Sequence, residues 1–475
     1  MAEKKITFGT SGWRGILAED FTLPKVRLVL QAICNYIKHK KLSKRPVIVG
    51  YDARFMGETF AREAAKVLAG NKITALLATR NIPTPVIARE IIKKKAAGGI
   101  NFTASHNPSN YNGIKFSPEW GGPALPETTK FIEKEVRGIK EADVKIMDFD
   151  DAKKKGLIKP LNPIKSYFKD ISKKLDIDLL KKSKLHLAVD TLYGTSIGYL
   201  DTFLDELGLK YEIIHDYCDP YFGGNSPEPS EQQLRELISI VKNNKKIKLG
   251  ISTDGDADRF GIVDTNGEFI EPNIIIALLL DYLIESRGLK GGVARSVATT
   301  HFIDAVAAMH GREVYETPVG FKYIGELITQ NKLVIGGEES AGLSIRGHVP
   351  EKDGILACLL VAEMVAKKKK TITELVEEMY KKVGKYLTKR LNFRLTVKQK
   401  DNLLIKLKKP VKSFAGRKVV KIDRTDGCKF ILDDGSWLLM RPSGTEPVIR
   451  LYLEAGSKKA LKELAKAGED FIMKK

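Results

Sequence analysis

The sequence predicts an α/β protein in which three similar mixed α/β domains precede a C-terminal α+β domain. A chain of 475 residues corresponds to three or four domains at roughly 150 residues each. Short apolar runs alternate with stretches of helical spacing along most of the chain, which indicates mainly parallel sheets. Beyond residue 370 several strands precede one closing helix, a pattern typical of an α+β domain.

The first domain is predicted over residues 1–155. Its strands and helices alternate, at Val47–Tyr51, Glu58–Leu68, Ile73–Leu77, Thr84–Lys95 and Gly99–Phe102. The second domain, residues 156–265, repeats this order at Leu185–Val189, Ser196–Leu207, Tyr211–Ile214, Ser230–Asn243 and Leu249–Ser252.

The third domain is predicted over residues 266–370 and the fourth over 371–475. The third again alternates, at Gly292–Val297, His301–Met309, Glu313–Tyr315, Tyr323–Gln330 and Leu333–Ile335. The fourth combines predicted strands with a closing helix, at Lys385–Val397, Lys418–Asp423, Lys429–Leu432, Trp437–Met440, Ile449–Ala455 and Lys458–Met473.

Composition excludes several classes of protein. With 43% hydrophobic residues the chain can bury a large core, so it is not a disordered protein. The longest apolar runs, Ile274–Leu280 and Ile355–Val361, are far shorter than the ~18 residues of a membrane helix. No apolar segment follows the N-terminus, and the four cysteines are scattered without a Cys-x-x-Cys pair. We therefore expect a cytoplasmic protein without a zinc ribbon or a disulfide framework.

The net charge of +21 has more than one possible meaning. It could serve nucleic acid, a membrane surface or a phosphorylated substrate, or it could reflect a lysine-rich solvated surface. Basic runs such as Lys367–Lys370 lie at the ends of predicted helices, where cations are favourable. No zinc finger, RNA-recognition motif or basic zipper accompanies the charge, so we expect neither a nucleic-acid nor a membrane partner.

A serine-containing loop follows the last predicted strand of the first domain. It reads Thr-Ala-Ser-His-Asn-Pro and contains Ser105 and His106. Sites in open parallel sheets lie beyond the carboxyl ends of strands, where a serine can act as a nucleophile or carry a phosphoryl group. A plain turn is the structural alternative. The nearby Lys115 suits a phosphate.

An acidic loop, Asp-Gly-Asp-Ala-Asp-Arg, follows the predicted strand that ends at Ser252. In an extended loop, Asp254, Asp256 and Asp258 point the same way, so their carboxylates can converge on a hard cation such as Mg²⁺. An EF-hand is excluded because its sixth position is Arg259 rather than glycine and its twelfth is Thr265 rather than glutamate.

Three further loops carry weaker signals. Gly336–Gly342 places Glu338 and Ser340 two residues apart, where they can read adjacent sugar hydroxyls, although a flexible loop would look the same. Arg441–Pro447 combines arginine, hydroxyls and glycine amides in a phosphate cradle, unless it is only a β-turn. Phe8–Gly15 has neither the dinucleotide nor the Walker glycine spacing.

These five loops, in this order from Phe8 to Arg450, resemble those of the α-D-phosphohexomutase family, which includes phosphoglucomutase and phosphomannomutase. The resemblance implies four domains around a central cleft. It also implies that Ser105 carries the catalytic phosphoryl group and that Asp254, Asp256 and Asp258 bind Mg²⁺ together with a phosphoserine oxygen. A hexose 1,6-bisphosphate is the implied activator.

The resemblance assigns further residues to the catalytic and substrate sites. Positions around the phosphoserine correspond to Arg14, His106, Lys115 and Arg259, with His106 or Lys115 as candidates for proton transfer. Substrate contacts correspond to Lys322, to Glu338 and Ser340 at the sugar 3- and 4-hydroxyls, and to Arg441, Ser443, Gly444, Thr445 and Arg450 at the non-reacting phosphate.

The implied reaction moves a phosphoryl group between O1 and O6 of one small sugar phosphate. Phosphoserine gives a 1,6-bisphosphate, the sugar turns around, and the other phosphoryl group returns to Ser105. The 3- and 4-hydroxyls lie roughly midway along the sugar, so one reading loop can serve both orientations. The fourth domain is expected to close over the sugar.

The identity of the sugar is less constrained. Gly-Glu-Glu-Ser-Ala-Gly is closer to the loop of glucose-specific phosphoglucomutases than to that of dual-specificity enzymes, and residues 317–322 also resemble a phosphoglucomutase segment. Phosphomannomutase is the main alternative, because glucose and mannose differ only at C2; aminosugar phosphates come next. More distant rivals are a haloacid-dehalogenase-like phosphatase, a nucleic-acid binder and a catalytically dead sugar-phosphate sensor.

Overall fold

The structure is a computed structural model that describes residues 6–9, 12–442 and 448–473. It contains four sheets, one after another along the chain. We refer to each sheet with its helices as units I to IV. The prediction of three mixed α/β domains followed by a sheet-rich C-terminal domain is confirmed.

Unit I has a sheet of order β1-β5-β4-β2-β3-β6, in which β2, β3, β4 and β6 are parallel and β1 and β5 are antiparallel to their neighbours. Its elements are β1 (Trp13–Ile16), α1 (Leu23–His39), β2 (Val47–Tyr51), α2 (Gly57–Gly70), β3 (Ala75–Ala78), α3 (Thr84–Lys94), β4 (Gly98–Phe102), β5 (Tyr111–Pro118), α4 (Pro126–Gly138), α5 (Phe149–Lys154) and β6 (Ile158–Leu161).

Unit II has the order β11-β10-β9-β7-β8, with β7, β8 and β9 parallel and the other two antiparallel. Its elements are α6 (Ile164–Ile171), α7 (Ile177–Ser183), β7 (His186–Asp190), α8 (Leu200–Leu207), β8 (Lys210–Ile214), α9 (Arg235–Asn243), β9 (Leu249–Thr253), β10 (Phe260–Val263) and β11 (Phe269–Ile270).

Unit III has the order β13-β12-β14-β15, in which only β15 is antiparallel to its neighbour. Its elements are α10 (Pro272–Glu285), β12 (Gly292–Ser296), α11 (Phe302–Met309), β13 (Val314–Thr317), α12 (Phe321–Thr329), β14 (Leu333–Glu338), β15 (Gly342–Ile345), α13 (Gly354–Lys368) and α14 (Ile372–Val383).

Unit IV is an antiparallel sheet of order β16-β21-β20-β19-β18-β17. Its elements are β16 (Leu387–Arg394), α15 (Val397–Lys408), β17 (Ser413–Phe414), β18 (Arg417–Asp423), β19 (Cys428–Leu432), β20 (Trp437–Pro442), β21 (Val448–Ala455) and α16 (Lys458–Met473).

One predicted strand was wrong at its C-terminal end. The expected strand Lys385–Val397 stops at Arg394, and Val397 begins helix α15. A capping box explains the switch: Thr396 Oγ1 accepts from the amide of Gln399, whose side chain in turn accepts from the Thr396 amide. Two predicted helices also begin later than expected, at Leu200 and Arg235.

The hydrophobic core explains how the units are held together. One apolar cluster joins units II and III with α3 of unit I, and it includes α13, a helix buried all round from Gly354 to Ala366. Units I and IV have apolar clusters of their own. No helix in the described ranges has both the length and the apolar character needed to cross a membrane.

The predicted functional loops occupy equivalent positions in units I to III. In each unit the loop connects the parallel strand at one border of the parallel part of the sheet to the antiparallel strand paired with it: β4 to β5, β9 to β10, and β14 to β15. Such connections leave from the carboxyl ends of parallel strands, where sites form in open sheets. Each of units I to III therefore contains a hairpin of the same kind, whose connecting loop is one of the predicted functional loops.

Candidate active site

The serine loop places Ser105 just beyond the end of β4 in a left-handed backbone conformation, with φ of +53°. The Ser105 amide donates to Thr103 Oγ1 at 2.8 Å, which helps to hold this turn. The hydroxyl is buried and donates to Asp254 Oδ2 at 3.0 Å; it also lies 3.3 Å from His106 Nδ1. The loops of units I and II therefore meet at the serine oxygen.

A buried arginine that the sequence analysis did not identify, Arg54, holds this loop in place. Its Nε donates to Asp52 at 3.1 Å, and both side chains are fully buried. The two Nη atoms donate to four backbone carbonyls within 2.5–3.0 Å, those of Ser105, Asn107, Pro108 and Tyr111. These contacts use all five N–H donors of the guanidinium, so Arg54 fixes the path of the loop on both sides of His106.

The acidic loop brings three carboxylates together, with one oxygen of each within 4.8 Å of the others. Asp254 Oδ1 is occupied, because it accepts from the amides of Asp258 and Arg259 at 2.9 and 3.0 Å. The Oδ1 atoms of Asp256 and Asp258 are buried and have no hydrogen-bond partner in the described part of the chain. Buried carboxylate oxygens without a donor fit a hard divalent cation such as Mg²⁺.

Two lysines supply opposite charge to the acidic loop. Lys115 Nζ lies 2.6 Å from Asp256 and 3.0 Å from Asp258, and Lys352 Nζ lies 2.8 Å from Asp258. Burial by itself would raise the pKa of Asp258, but the two lysines outweigh it and hold that pKa well below its ordinary value. The pKa of Asp254 is raised, by burial first and then by its two acidic neighbours.

The two candidates for proton transfer differ in charge. Lys115 is ion-paired with two aspartates that raise its pKa against the opposing effect of burial, so it stays protonated. Burial, followed by the charges of Arg259 and Arg14, holds the pKa of His106 well below its ordinary value. A neutral imidazole beside Ser105 can accept a proton, whereas an ion-paired ammonium cannot.

Arg14 and Arg259 add positive charge next to His106, the neighbour of the serine. Arg14 Nη1 donates to the side chain of Asn107 at 2.6 Å, next to the turn that carries the serine. Arg259 Nη1 lies 3.4 Å from Glu228, and the buried Arg259 Nε has no hydrogen-bond partner among the described residues. The serine hydroxyl thus lies among cations suited to an anionic group.

The third loop forms a tight turn between β14 and β15 and contacts the acidic loop. Glu338 pairs with Gly342 across the hairpin, and Ala341 takes a left-handed conformation with φ of +70°. The Ala341 carbonyl accepts from the amide of Phe260, the first residue after Arg259. Glu338 and Ser340 are therefore carried on a turn that is hydrogen-bonded to the site loop of unit II.

Glu338 itself is buried, and its Oε1 accepts from the amide of Gly320 at 2.7 Å. Burial, and then the neighbouring Glu339, raises the pKa of Glu338 to about 7. Glu339 points elsewhere, since its Oε2 accepts from Ser296 at 3.0 Å. Of the two adjacent glutamates, Glu338 is the one that bonds to the segment leading to Lys322.

In unit IV, Arg441 and Arg450 are cross-strand partners on β20 and β21. Arg441 Nε donates to Asp426 at 2.9 Å, and the same carboxylate oxygen accepts from the amide of Val319 in unit III. The other residues predicted for this loop, Ser443, Gly444 and Thr445, lie outside the described residues.

Four residues of this site were missed by sequence reasoning: Arg54, Thr84, Lys352 and Asp426. Thr84 begins α3 and donates to Asp256 at 2.5 Å. One available signal was the position of Asp52 and Arg54, directly after a buried strand. Another was the charged run Glu351–Asp353 in front of an apolar helix.

Comparison with protein families agrees with this arrangement. Residues 5–143, 165–267 and 271–383 match the α/β/α domains I, II and III of phosphoglucomutase/phosphomannomutase, and residues 391–470 match its C-terminal domain. The four matches follow one another in the order of the four sheets.

Individual relatives match over nearly their whole length. A phosphoglucomutase/phosphomannomutase of Thermococcus kodakarensis is 33% identical over 97% of each chain. A phosphoglucomutase of Komagataeibacter xylinus is 30% identical, covering 99% of this chain and 91% of the relative. A Methanosphaera stadtmanae protein described as a phosphoglucosamine mutase is 31% identical over 98% of each chain.

A solved structure agrees with these matches. A Thermus thermophilus protein described as a phosphomannomutase superposes with a TM-score of 0.86 at 30% identity, over 99% of each chain. These relatives differ in the named sugar but share the phosphohexomutase class of reaction. The chain belongs to the α-D-phosphohexomutase family.

Proposed function

We propose that this phosphohexomutase interconverts glucose 1-phosphate and glucose 6-phosphate through a phosphorylated Ser105 and glucose 1,6-bisphosphate. The observation that carries the proposal is the buried Ser105 hydroxyl, 3.0 Å from Asp254, which clusters with two aspartates that each have an oxygen without a hydrogen-bond partner among the described residues. A serine oxygen next to a cation site is what a phosphoserine enzyme requires.

Asp254, Asp256 and Asp258 would hold the Mg²⁺. The bound ion would neutralise negative charge on the transferring phosphoryl group. Each aspartate is already bonded within the protein: Asp254 through both oxygens, to backbone amides and to the Ser105 hydroxyl, Asp256 through one oxygen to Lys115 and Thr84, and Asp258 through one oxygen to the two lysines. The loop is thereby rigid, and its remaining oxygens are oriented before any ligand arrives.

A mutase needs a second phosphate site that holds without reacting. We assign this role to Arg441 and Arg450, together with Ser443, Gly444 and Thr445. Arg441 and Arg450 are cross-strand partners and Asp426 balances only one of their two charges, which leaves positive charge suited to a phosphate. Arg14, Lys115 and Arg259 would instead surround the reacting phosphoryl group.

Glu338 and Ser340 would read the 3- and 4-hydroxyls in both orientations of the sugar, with Lys322 nearby. The preference for glucose rests on the sequence of this loop, Gly-Glu-Glu-Ser-Ala-Gly. His106 would exchange a proton with the Ser105 oxygen, taking it when the serine attacks the bisphosphate and returning it when the serine leaves, because its ring is neutral and lies beside Ser105.

The test is turnover of glucose 1-phosphate against mannose 1-phosphate and glucosamine 1-phosphate, with Mg²⁺ and a trace of the matching bisphosphate. We expect kcat/KM for glucose 1-phosphate to exceed the others by more than roughly tenfold, about 1.4 kcal/mol of discrimination. Ser105→Ala should abolish turnover, whereas Ser109→Ala, in the same loop, should retain it.

Comparable rates with glucose and mannose would make the enzyme a dual mutase and remove the significance of the loop sequence. Retained turnover in Ser105→Ala, with loss in Asp254→Asn, would contradict the phosphoserine mechanism. That outcome would point instead to an aspartate nucleophile.

A further inference from the structure

Asp426 occupies the turn between β18 and β19 and bonds to two different units. Its Oδ2 accepts from Arg441 Nε at 2.9 Å within unit IV and from the amide of Val319 at 3.1 Å in unit III. One carboxylate oxygen is therefore shared between the predicted phosphate-holding arginine and the segment that leads into α12.

The same segment continues to the sugar-reading loop. The next amide, that of Gly320, donates to Glu338 Oε1 at 2.7 Å. Gly320 has φ of +130°, a conformation that side-chain-bearing residues rarely adopt. This bend aims two successive amides at two carboxylates, one on unit IV and one on the β14–β15 hairpin.

We infer that Asp426 is a positioning residue, which sets the separation of Arg441 and the Glu338 hairpin when unit IV is docked on unit III and thereby matches the length of the bound sugar phosphate. The inference rests on the proposed function. A mutase must hold the distal phosphate and the middle hydroxyls at once, so the spacing between their binding groups has to be correct to a fraction of an ångström.

The charge of Asp426 contributes as well as its geometry. Arg441 lies opposite Arg450 across β20 and β21, and like charges in that position repel. An aspartate bonded to Nε offsets this repulsion and leaves the four N–H groups on the Nη atoms to bind a phosphate. Without Asp426, the guanidinium loses the contact that orients its plane.

Truncation at Asp426 should weaken ground-state binding more than chemistry, because the residue touches neither Ser105 nor the acidic loop. In Asp426→Ala we expect KM for glucose 1-phosphate to rise on the order of tenfold to a hundredfold, as for the loss of a hydrogen bond to a charged group. The kcat should stay within about threefold of the parent, since uniform binding is what is lost.

The control variant is Asp434→Ala. Asp434 lies in the turn at the opposite end of β19, and it too accepts from an arginine Nε, that of Arg417 at 2.7 Å. Asp434 therefore matches Asp426 in residue type, in its sheet and in having an arginine as its partner. That arginine, Arg417, is not predicted to bind the substrate. Its KM should stay within about twofold of the parent, because surface ion pairs contribute little.

The decisive measurement is a double-mutant cycle with Arg441→Ala. If Asp426 acts through Arg441, adding Asp426→Ala to Arg441→Ala should raise KM by less than about threefold, well short of the product of the single effects. A merely structural role would give effects that multiply. Should Asp426→Ala fail to fold, Asp426→Asn takes its place, since the amide oxygen can still accept both bonds while the charge is lost.

Multiplying effects, or a KM unchanged in both Asp426 variants, would overturn the inference. Failure of the proposed function is distinguishable, because it would show as absent turnover of glucose 1-phosphate in the parent enzyme. It would also show as undiminished turnover in Ser105→Ala.

Discussion

Replacing Arg54 with methionine should destabilise unit I and release the serine loop. Methionine fills a similar volume but donates no hydrogen bond, so all five contacts of the guanidinium are lost at once. Four of the orphaned acceptors are carbonyls of the loop, and the fifth is the Asp52 carboxylate. The substitution therefore tests whether the conformation of Ser105 depends on this one side chain.

The expected loss follows from the burial of the pair. Both side chains of the Arg54–Asp52 ion pair are 0% exposed, so solvent cannot take over the role of either partner. Breaking a buried ion pair by removing one member costs about 3–5 kcal/mol. Five hydrogen bonds at about 1 kcal/mol each give a similar figure. Because units I to III are expected to unfold together, the unfolding midpoint should fall by about 5 °C.

The loss should depend on pH, because Asp52 is left without its counterion. Burial already raises the pKa of Asp52 to about 6 in spite of Arg54, and removal of Arg54 should raise it further. A carboxyl whose pKa is higher in the folded than in the unfolded state contributes stability at low pH and loses it as the pH rises through the folded pKa. The difference between variant and parent should thus be smaller near pH 5 than near pH 8.

Two measurements follow the perturbation. Calorimetric unfolding near pH 5 and near pH 8 gives the change in stability, and hydrogen exchange of peptides covering residues 103–111 reports on the loop. Arg54→Lys should lie between parent and Arg54→Met, since an ammonium has three donors for five acceptors. Arg27→Lys is the control: the Arg27 side chain is 36% exposed and pairs with Glu63, so its replacement should change stability by less than about 1 kcal/mol.

A loss below about 1 kcal/mol in Arg54→Met, with unchanged exchange in the loop, would refute this reasoning. It would mean that the loop conformation is held by its own sequence. A large loss of stability with no dependence on pH would support the role of Arg54 in holding the loop. It would contradict the role of Asp52 as the buried charge left without a counterion.

Three further predictions concern other parts of the protein. Lys429 is buried against Trp437 at the junction of units III and IV, and burial lowers its pKa from 10.5 to about 8. The free energy of unfolding should therefore rise between about pH 8 and 10.5, and Lys429→Met should abolish that rise. Gly354→Ala would place a Cβ 2.2 Å from the Arg259 carbonyl, so it should lower the free energy of unfolding by about 1–3 kcal/mol and lower kcat. Gly138→Ala, whose Cβ would have nothing within 4 Å, should change neither. Mg²⁺ at a hundredfold excess over Kd should stabilise the parent protein by about 2.7 kcal/mol and so raise its melting temperature, and Asp254→Asn should lose most of this gain in a thermal-shift assay.

Local patterns in the sequence identified many of the elements. Strand Val47–Tyr51 and helix Lys458–Met473 were predicted with the bounds that the structure has, because their apolar patterns are regular and uninterrupted. The strand expected up to Val397 was wrong beyond Arg394, because the Thr396–Gln399 capping box stabilises the start of a helix there. The helical continuation was visible in the sequence, but β-branched residues around it also suited a strand.

In the candidate site, some residues could be predicted from the sequence and others could not. Ser105 and the acidic triad could be predicted as site residues because each loop carries its chemistry within a few consecutive residues. Arg54, Lys352 and Asp426 could not, because each one contacts a residue far away in the sequence, at Ser105, Asp258 and Val319 respectively. Such partners are decided by how the units pack, and a single sequence contains no direct record of that packing.

The ion network around Lys115 links three units at one place. Lys115 extends from β5 of unit I, its partners Asp256 and Asp258 belong to unit II, and Lys352 comes from unit III just ahead of α13. Opening any one of these junctions would leave buried charges without counterions, which costs several kcal/mol. Units I to III should therefore unfold in a single cooperative step. A unit excised from the chain would lack the counterions that the other units supply to its buried charges.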